Sequence, residues 1–256
     1  MRKILAFFLV VLLCVAFPAG GQDVRRRPLY GSSFSPDSLS NLSLWLKADA
    51  IEGLSDGDPV TTWFDQSSGE HDASQSTASK KPTYKVNVVN GKPVVRFDGV
   101  DDVMSFASAL TYGNAVSIFI AVSPSTNTDD YVFSSSGAGG CPAIITQYSS
   151  RAFEWYNACA GGDRQTLSTS GTGFSIISVI QTDGSSLVGH YNGAQAFSVT
   201  PATAVSGSNI THLGALGTTQ EHGRVDIGEL IIYSDAKNST DRDSVLNYLN
   251  GRYAVY

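Results

Sequence analysis

The chain has 256 residues, with 17 Lys and Arg against 23 Asp and Glu and a formal net charge of −6. This acidic balance argues against nucleic-acid binding, which relies on clustered Lys and Arg that neutralise phosphates. The length is sufficient for one large domain with a substantial hydrophobic core, and no internal repeat is apparent.

The first residues have the features of a secretory signal peptide. Arg2 and Lys3 are basic, residues 4–17 are apolar, and small residues follow. The apolar run is too short to cross a bilayer comfortably, so we expect an exported mature chain without a transmembrane anchor. Cys14 follows Leu13 rather than a small residue, which argues against lipidation. Localisation is therefore expected to be secreted or at the cell surface.

Three segments are predicted along the chain. Residues 1–21 form the signal peptide, and its removal would leave 15 basic and 23 acidic residues, a net charge of −8. Residues 22–38 are mixed polar without periodicity and predict a linker. The domain is expected to occupy residues 39–256.

From residue 39 the pattern is that of short β-strands. Residues 42–48 alternate between apolar and polar side chains, which is typical of a strand with one buried face. Residues 115–122 are the most apolar stretch and predict a central strand. Further strands are predicted at 60–64, 93–97, 131–134, 143–148, 152–158, 174–181, 186–191, 195–199, 211–213 and 224–233. Short strands separated by Gly, Ser and Asn turns indicate an all-β sandwich or barrel.

One helix is predicted near the end of the chain. Asn238 or Ser239 can cap its N-terminus, since short polar side chains accept hydrogen bonds from the free backbone N–H groups there. Apolar residues between Val245 and Leu249 give the helix one buried face. Gly251 is expected to end it, because glycine adopts the left-handed conformation that closes many helices.

Two cysteines remain in the predicted mature chain, and export favours a disulfide between them. Strands on either side of a three-residue loop, 149–151, would place Tyr148 opposite Ala152. The same register places Cys141 opposite Cys159. The sequence therefore predicts a disulfide that closes this hairpin.

Several motifs occur in a characteristic order. They are Leu44-Trp45-Leu46-Lys47-Ala48-Asp49, Val60-Thr61-Thr62-Trp63-Phe64-Asp65-Gln66-Ser67-Ser68-Gly69, Val94-Val95-Arg96-Phe97-Asp98-Gly99-Val100-Asp101-Asp102 and Ile227-Gly228-Glu229-Leu230-Ile231-Ile232-Tyr233. This series resembles the LamG-like domains of the concanavalin A-like lectin/glucanase superfamily over residues 39–256. The resemblance implies an antiparallel jelly-roll β-sandwich, often with a carbohydrate- or protein-binding surface and sometimes a calcium ion. It does not imply one activity, because the fold hosts lectins, hydrolases, lyases and adhesive modules.

A hydrolase of this superfamily would carry E-x-D-x-x-E on one strand, with two glutamates as nucleophile and general acid. Arg224 stands at the first position, before Asp226 and Glu229, and a cation cannot act as the nucleophile. A lyase would need a Tyr or His base beside Arg or Asn groups. His190 and Tyr191 are adjacent on a predicted strand and would face opposite sides. No catalytic residue is therefore predicted.

The turn after strand 93–97 holds three carboxylates, Asp98, Asp101 and Asp102. Calcium prefers six to eight oxygen ligands in an irregular loop, so these residues could contribute to a calcium site. The alternative is structural, because Asp favours turns by bonding nearby backbone amides. The spacing does not match an EF-hand loop, and both interpretations stay open.

Sugar binding would need an exposed aromatic platform beside polar loop groups. Trp155, Tyr156 and Asn157 are the predicted ligand-binding residues, since the hairpin would hold them rigidly. Trp155 could equally be a core residue, and only one of two adjacent aromatic residues is expected to face outward. Trp45 and Trp63 are predicted to lie in the core.

Together these features favour an exported, non-catalytic module that binds a glycan or a cell-surface partner, with calcium as a candidate cofactor. One alternative is an extracellular polysaccharide-active enzyme, a lyase or hydrolase whose site the sequence does not reveal. A second is a structural or adhesion component of a surface. Aromatic and acidic side chains gathered on one face of a sheet would favour binding or catalysis over a structural role.

Overall fold

The computed structural model describes residues 34–124, 130–135, 143–146, 153–156, 164–168, 173–201, 208–217 and 220–256. These residues form β-strands, three 3₁₀-helices (Pro36–Ser38, Ala48–Ala50 and Ala78–Lys80) and the helix α1 (Ser239–Tyr253). The strands are β1 (Leu42–Lys47), β2 (Thr62–Trp63), β3 (Ala73–Ser74), β4 (Thr83–Val89), β5 (Lys92–Arg96), β6 (Met104–Tyr112), β7 (Val116–Pro124), β8 (Asp130–Ser134), β9 (Ala143–Thr146), β10 (Phe153–Tyr156), β11 (Arg164–Thr166), β12 (Ser175–Thr182), β13 (Ser186–Tyr191), β14 (Ala194–Val199), β15 (Ser208–Leu213), β16 (Ala215–Leu216), β17 (Gln220–His222) and β18 (Val225–Tyr233).

The strands form two sheets, which confirms the predicted antiparallel β-sandwich with a C-terminal helix. Sheet A has the order β14-β13-β12-β7-β18-β5-β4, and β1 also pairs with β18. Sheet B has the order β11-β10-β9-β8-β15-β6-β3-β2, with β16 and β17 beside β8. Within sheet A, β18 pairs with β7 on one side, while β1 and β5 share its other side.

Sheet A is buried on both faces at its centre. In β7, Ile118 and Ile120 pack into the core between the sheets, whereas Phe119 and Ala121 pack against the other apolar cluster, which α1 completes. This double burial explains why residues 115–122 read as a continuous apolar run rather than as an alternation. The predicted central strand is therefore confirmed, together with a physical reason for its composition.

Helix α1 begins as predicted and ends later. The Asn238 side chain accepts a hydrogen bond from the Asp241 backbone N–H (3.0 Å), as expected of an N-cap. Gly251 lies within the helix, so the prediction that it ends the helix is wrong. Ala254 provides the left-handed C-cap instead (φ 50°), and the last turn is retained because Tyr253 is buried against sheet A.

Phe34 and Pro36 contact the sandwich, although they lie in the segment that the sequence assigns to a linker. The Phe34 ring contacts Tyr248 of α1 edge-on, with 6.1 Å between centroids. The Tyr233 hydroxyl donates a hydrogen bond to the Pro36 carbonyl (2.9 Å). The Phe34 ring and the Pro36 carbonyl thus hold residues 34–38 against the sandwich.

The hairpin of β9 and β10 forms with a register that differs from the prediction by one residue. Phe153 pairs with Thr146 and Tyr156 pairs with Ala143, whereas a three-residue loop would have placed Phe153 opposite Gln147. The register that supported the Cys141–Cys159 disulfide is therefore wrong. The two cysteines lie outside the described residues, and the disulfide stays a prediction.

Candidate binding site

The loop that follows β2 is organised by one carboxylate. Asp65 accepts hydrogen bonds from the Trp45 backbone N–H (2.8 Å), the Ser67 backbone N–H (2.9 Å), the Ser67 hydroxyl (2.8 Å) and the His71 backbone N–H (3.0 Å). A Cβ atom on Gly69 would clash with the Ser43 carbonyl oxygen. The Asp-Gln-Ser-Ser-Gly motif is therefore explained by the loop that it builds, since its carboxylate oxygens are already occupied by the fold.

The acidic turn after β5 is stabilised in a similar way. Asp98 Oδ1 accepts a hydrogen bond from the Val100 backbone N–H (2.8 Å), and Asp102 Oδ2 accepts one from the Asp98 backbone N–H (2.9 Å). Gly99 has φ 76°, and a Cβ there would lie 2.7 Å from the Arg224 Cβ. The turn thus requires Asp98 and Gly99 for structural reasons, whether or not it binds a cation.

The same turn keeps the geometry of a candidate cation site. Carboxylate oxygens of Asp98, Asp101 and Asp102 lie within 4.8 Å of one another. Burial raises the pKa of Asp102 to about 7, with a further contribution from the negative charge of Asp98. A calcium ligand must be ionised, so ion binding would have to overcome this tendency toward protonation. Calcium at these three residues stays a prediction.

The two carboxylates that match the hydrolase motif, Asp226 and Glu229, form contacts that stabilise the fold. Arg96 forms a two-pronged ion pair with Asp226, with both N–O distances at 2.7 Å. Glu229 is fully buried on the helix-covered face of sheet A. Its oxygens accept hydrogen bonds from Trp45 Nε1 (2.6 Å), the Tyr248 hydroxyl (2.9 Å), Arg252 Nε (2.9 Å) and the Tyr253 hydroxyl (3.2 Å).

A carboxyl group in this setting cannot exchange protons with a substrate, because general acid–base catalysis needs direct access to the reacting group. Burial raises the pKa of Glu229, and the Arg252 guanidinium opposes that shift. A β-bulge between Ile227 and Glu229 sets the position of the side chain. Gly228 is required there, since a Cβ would lie 2.8 Å from the Tyr253 ring. The motif serves the attachment of α1.

The predicted aromatic platform is not formed by Trp155. This side chain has no exposed surface and packs edge-on against Phe133 in the core between the sheets, with 6.3 Å between ring centroids. Strand alternation points Tyr156 to the opposite face, where the Arg164 guanidinium lies 5.2 Å from its ring centroid. Asn157 lies outside the described residues. Trp155 is thus a core residue, as are Trp45 and Trp63.

The outer face of sheet B presents polar groups at its β2–β3–β6 end. Thr62 pairs with Ser74, Ser74 pairs with Ser105, and Ser105 pairs with His212, so these four residues form one row across four strands. Their neighbours along the strands, including Trp63 and Met104, point into the core. Burial lowers the pKa of His212, so its imidazole is neutral at neutral pH.

A pocket of about 380 Å³ opens beside this row, and we call it the hydroxyl pocket. It is lined by Ser74, Gln75, Ser76, Thr77, Lys80, Val103 and Ser105. The Gln75 side chain is fixed, because its Nε2 donates to the Val103 carbonyl (2.8 Å) and its Oε1 accepts from the Thr77 backbone N–H (2.9 Å). The structure shows no hydrogen-bond partner for the hydroxyls of Ser74, Ser76, Thr77 or Ser105 within the described ranges.

A second pocket, of about 500 Å³, lies where the N-terminal segment meets β1. It is lined by Asp37, Leu39, Asn41, Leu42, Gln66, Ser67 and Ser68. Most of its polar side chains are already engaged. Asn41 donates to Asp235 (3.0 Å), Gln66 donates to the Phe64 carbonyl (3.1 Å) and Ser67 donates to Asp65 (2.8 Å). The hydroxyl pocket therefore offers more unused hydrogen-bonding capacity.

Sequence reasoning did not identify the hydroxyl pocket. Ser74 and Ser105 are far apart in the chain and meet only because β3 pairs with β6. Serines in a Ser-rich chain carry no signal of their own. The alternation around Trp63 is the one local pattern that could have assigned Thr62 and Phe64 to an outward face.

The sequence matches no protein-family profile and no curated protein. Solved structures with a similar fold include the binding domain of Paraclostridial Mosquitocidal Protein 1 (10% identity, TM-score 0.58, 84% of this chain and 53% of that one). They also include a GH54 α-L-arabinofuranosidase (13% identity, TM-score 0.59, 76% of this chain and 51% of that one). A third is a Trypanosoma rangeli sialidase (10% identity, TM-score 0.52, 83% of this chain and 33% of that one). The chain spans about half or less of these proteins' lengths. At this identity the similarity shows a shared β-sandwich fold alone. Among the described residues, no helix is long and apolar enough to cross a membrane.

Proposed function

We propose that this chain is an exported LamG-like module that binds a glycan in the hydroxyl pocket without transforming it. One observation carries the proposal. The carboxylates of Asp65, Asp226 and Glu229 are occupied by the fold, whereas four hydroxyls that line one pocket have no hydrogen-bond partner in the described part of the chain. Each hydroxyl can donate one hydrogen bond and accept two, which matches the surface of a sugar.

The size and charge of the pocket support binding rather than catalysis. Its volume of about 380 Å³ lies at the lower end of small-molecule sites, which suits one sugar ring. Lys80 is the single ionisable side chain among the lining residues that the structure describes. A glycosidase would need a pair of carboxyl groups on either side of the scissile bond. The nearest recognisable motif for that chemistry ends at Glu229, under α1.

The structural neighbours fit this proposal without deciding it. Two of them are binding domains of toxins, the Paraclostridial protein and botulinum neurotoxin serotype D, and others are enzymes that act on sugars. Export is proposed from the signal-peptide pattern of residues 1–21. An oxidising environment would then allow the Cys141–Cys159 disulfide, and intact mass with and without a reductant would measure it.

A glycan array with the predicted mature chain, residues 22–256, tests the proposal. We expect retention of specific glycans by the wild type and a loss of about ten-fold or more in affinity for Ser74→Ala/Ser105→Ala. Two hydrogen bonds to neutral groups contribute about 1–3 kcal/mol together. Ser198→Ala is the matched control, because Ser198 is exposed on the edge strand β14 of sheet A.

Three results would count against the proposal in different ways. Equal retention by the double variant and the wild type would remove the pocket as the site. Failure of the folded wild type to retain any glycan would remove glycan binding as the function. Turnover of a retained polysaccharide would show that the module is an enzyme.

A further inference from the structure

Phe64 is an exposed aromatic ring beside the hydroxyl pocket. Its exposed fraction is 59%, while its neighbour Trp63 is fully buried between the sheets. Phe64 directly follows β2, and its exposure beside the buried Trp63 continues the alternation of the strand, so it shares the outward side of Thr62. Thr62 pairs with Ser74, which lines the hydroxyl pocket. Burying a large apolar side chain against a ligand is favourable, so Phe64 can contribute to binding of a ligand that reaches it from the pocket.

The strand positions between the pocket and Phe64 carry short side chains. Phe64 lies about 7 Å along the chain from Thr62, and Ser74 lies about 5 Å across the sheet from Thr62. The next residue of β6 on this path is the exposed Ala107, whose N–H donates to the Asp72 carbonyl (3.0 Å). Small side chains therefore leave room for a ligand that continues from the pocket toward the ring.

Charges around Phe64 select the kind of ligand. Asp65 directly follows Phe64, and its backbone N–H donates to the Asp72 carboxylate (2.8 Å). Glu70 is exposed in the same loop. Like charges at this range repel a carboxylate or sulfate group. The face of an aromatic ring is favourable for the C–H groups of a neutral sugar, because the ring face is electron-rich. Lys80, the one cation that lines the hydroxyl pocket, already has an interaction partner in the fold. The chemistry around Phe64 thus fits an uncharged saccharide.

We propose that the site binds a neutral oligosaccharide of at least two units, with one sugar in the hydroxyl pocket and a later sugar stacked on Phe64. This inference rests on the proposed glycan site and extends it to a chain-length requirement. A single sugar in the pocket would not reach the ring. Affinity should therefore rise with length until the second position is filled.

Calorimetric titration with cello-, laminari-, xylo- and arabino-oligosaccharides of one to four units tests the proposal. Phe64→Ala should lower affinity for the longest bound oligosaccharide by about ten-fold and leave monosaccharide affinity unchanged. Phe64→Trp should retain or increase it. Val100→Ala is the matched control, because Val100 is an exposed apolar residue (73%) in the acidic turn. Phe64 is exposed, so these variants should fold.

Each outcome separates this inference from the function that it rests on. Equal oligosaccharide affinity in Phe64→Ala and the wild type overturns the Phe64 position and leaves the pocket standing. An equal loss for monosaccharides and oligosaccharides also overturns it, because Phe64 would then only shape the pocket. Parallel measurements with a uronate tetrasaccharide and with phosphatidylcholine vesicles complete the test. Binding of the uronate saccharide alone contradicts the neutral ligand. No saccharide binding by the wild type overturns both proposals, and retention on the vesicles that Phe64→Ala abolishes would assign the ring to a membrane.

Discussion

The outer faces of the two sheets use polar groups in opposite ways. On sheet A, α1 covers a carboxylate, Glu229, that accepts hydrogen bonds from four side chains. On sheet B, the hydroxyls of Ser74 and Ser105 line a pocket without partners among the described residues. A buried polar group must be satisfied to be tolerated, whereas an unsatisfied group at a surface stays available to a ligand. The most conspicuous acid in the sequence therefore builds the fold, and inconspicuous serines remain free to bind.

Substitutions on the face of sheet A that α1 covers should lower the stability of the fold more than substitutions on the outer face of sheet B. Glu229→Ala is expected to lower the free energy of unfolding by about 3–5 kcal/mol, because it leaves the Arg252 guanidinium and the Trp45 indole N–H without their buried partner. Arg252 keeps its ion pair with Asp49 (2.7 Å), which places the loss toward the lower end. Urea unfolding measures the change.

Glu52→Ala provides the control for this loss, since Glu52 is exposed. If Glu229→Ala unfolded at the same urea concentration as the wild type, the attachment of α1 would not depend on this carboxylate. If the wild type turned over a polysaccharide and Glu229→Ala abolished that turnover at unchanged stability, the enzymatic interpretation of the motif would be restored.

Trp155 should behave as a core residue of sheet B rather than as part of the binding surface. Trp155→Phe is expected to cost about 2 kcal/mol, because the smaller ring leaves a cavity against Phe133. Glycan affinity should stay unchanged under conditions where the variant is folded. Thermal unfolding and the glycan array together check this. A large loss of affinity in a stable variant would return Trp155 to the site.

The contrast between Trp155 and Ser105 shows what sequence reasoning can reach. Strand patterns and turn residues predicted an all-β sandwich or barrel, because alternation, Gly, Ser and Asn turns and helix caps are local properties. The resemblance to LamG-like domains implied the sandwich. Alternation also predicted that one of Trp155 and Tyr156 faces outward, but the choice depends on the partner sheet. The pocket depends on pairing between β3 and β6, which no local pattern encodes. The one-residue register difference at Phe153 has the same origin, since the loop length was inferred from chain positions alone.

A smaller effect is expected at the acidic turn, where burial raises the pKa of Asp102 to about 7. The unfolded-state pKa is about 3.9, so the folded state holds the extra proton between these values. The contribution of protonated Asp102 to the free energy of unfolding is then fully present below about pH 4 and is lost as the pH rises toward 7. Asp102→Asn should remove that loss and be more stable than the wild type at pH 8 by about 1–2 kcal/mol.

Urea unfolding between pH 4 and pH 8 measures this dependence, with Asp101→Asn as the matched variant in the same turn. Asn can still accept the hydrogen bond from the Asp98 backbone N–H (2.9 Å), so the turn should persist. A wild-type stability that stays flat over this range would contradict the raised pKa.

The smallest expected effect concerns calcium. It decides whether the carboxylates of the acidic turn serve the fold alone, as Glu229 does, or also bind a ligand. Binding would require ionised Asp102, so stabilisation by calcium should grow from pH 6 to pH 8 and vanish in Asp102→Asn. At a calcium concentration ten times the dissociation constant, linkage gives about 1.4 kcal/mol. Calorimetric titration and melting with and without a chelator measure it. An unchanged melting temperature at pH 8 would assign Asp98, Asp101 and Asp102 to turn formation alone, because their hydrogen bonds to backbone N–H groups already account for two of the three carboxylates.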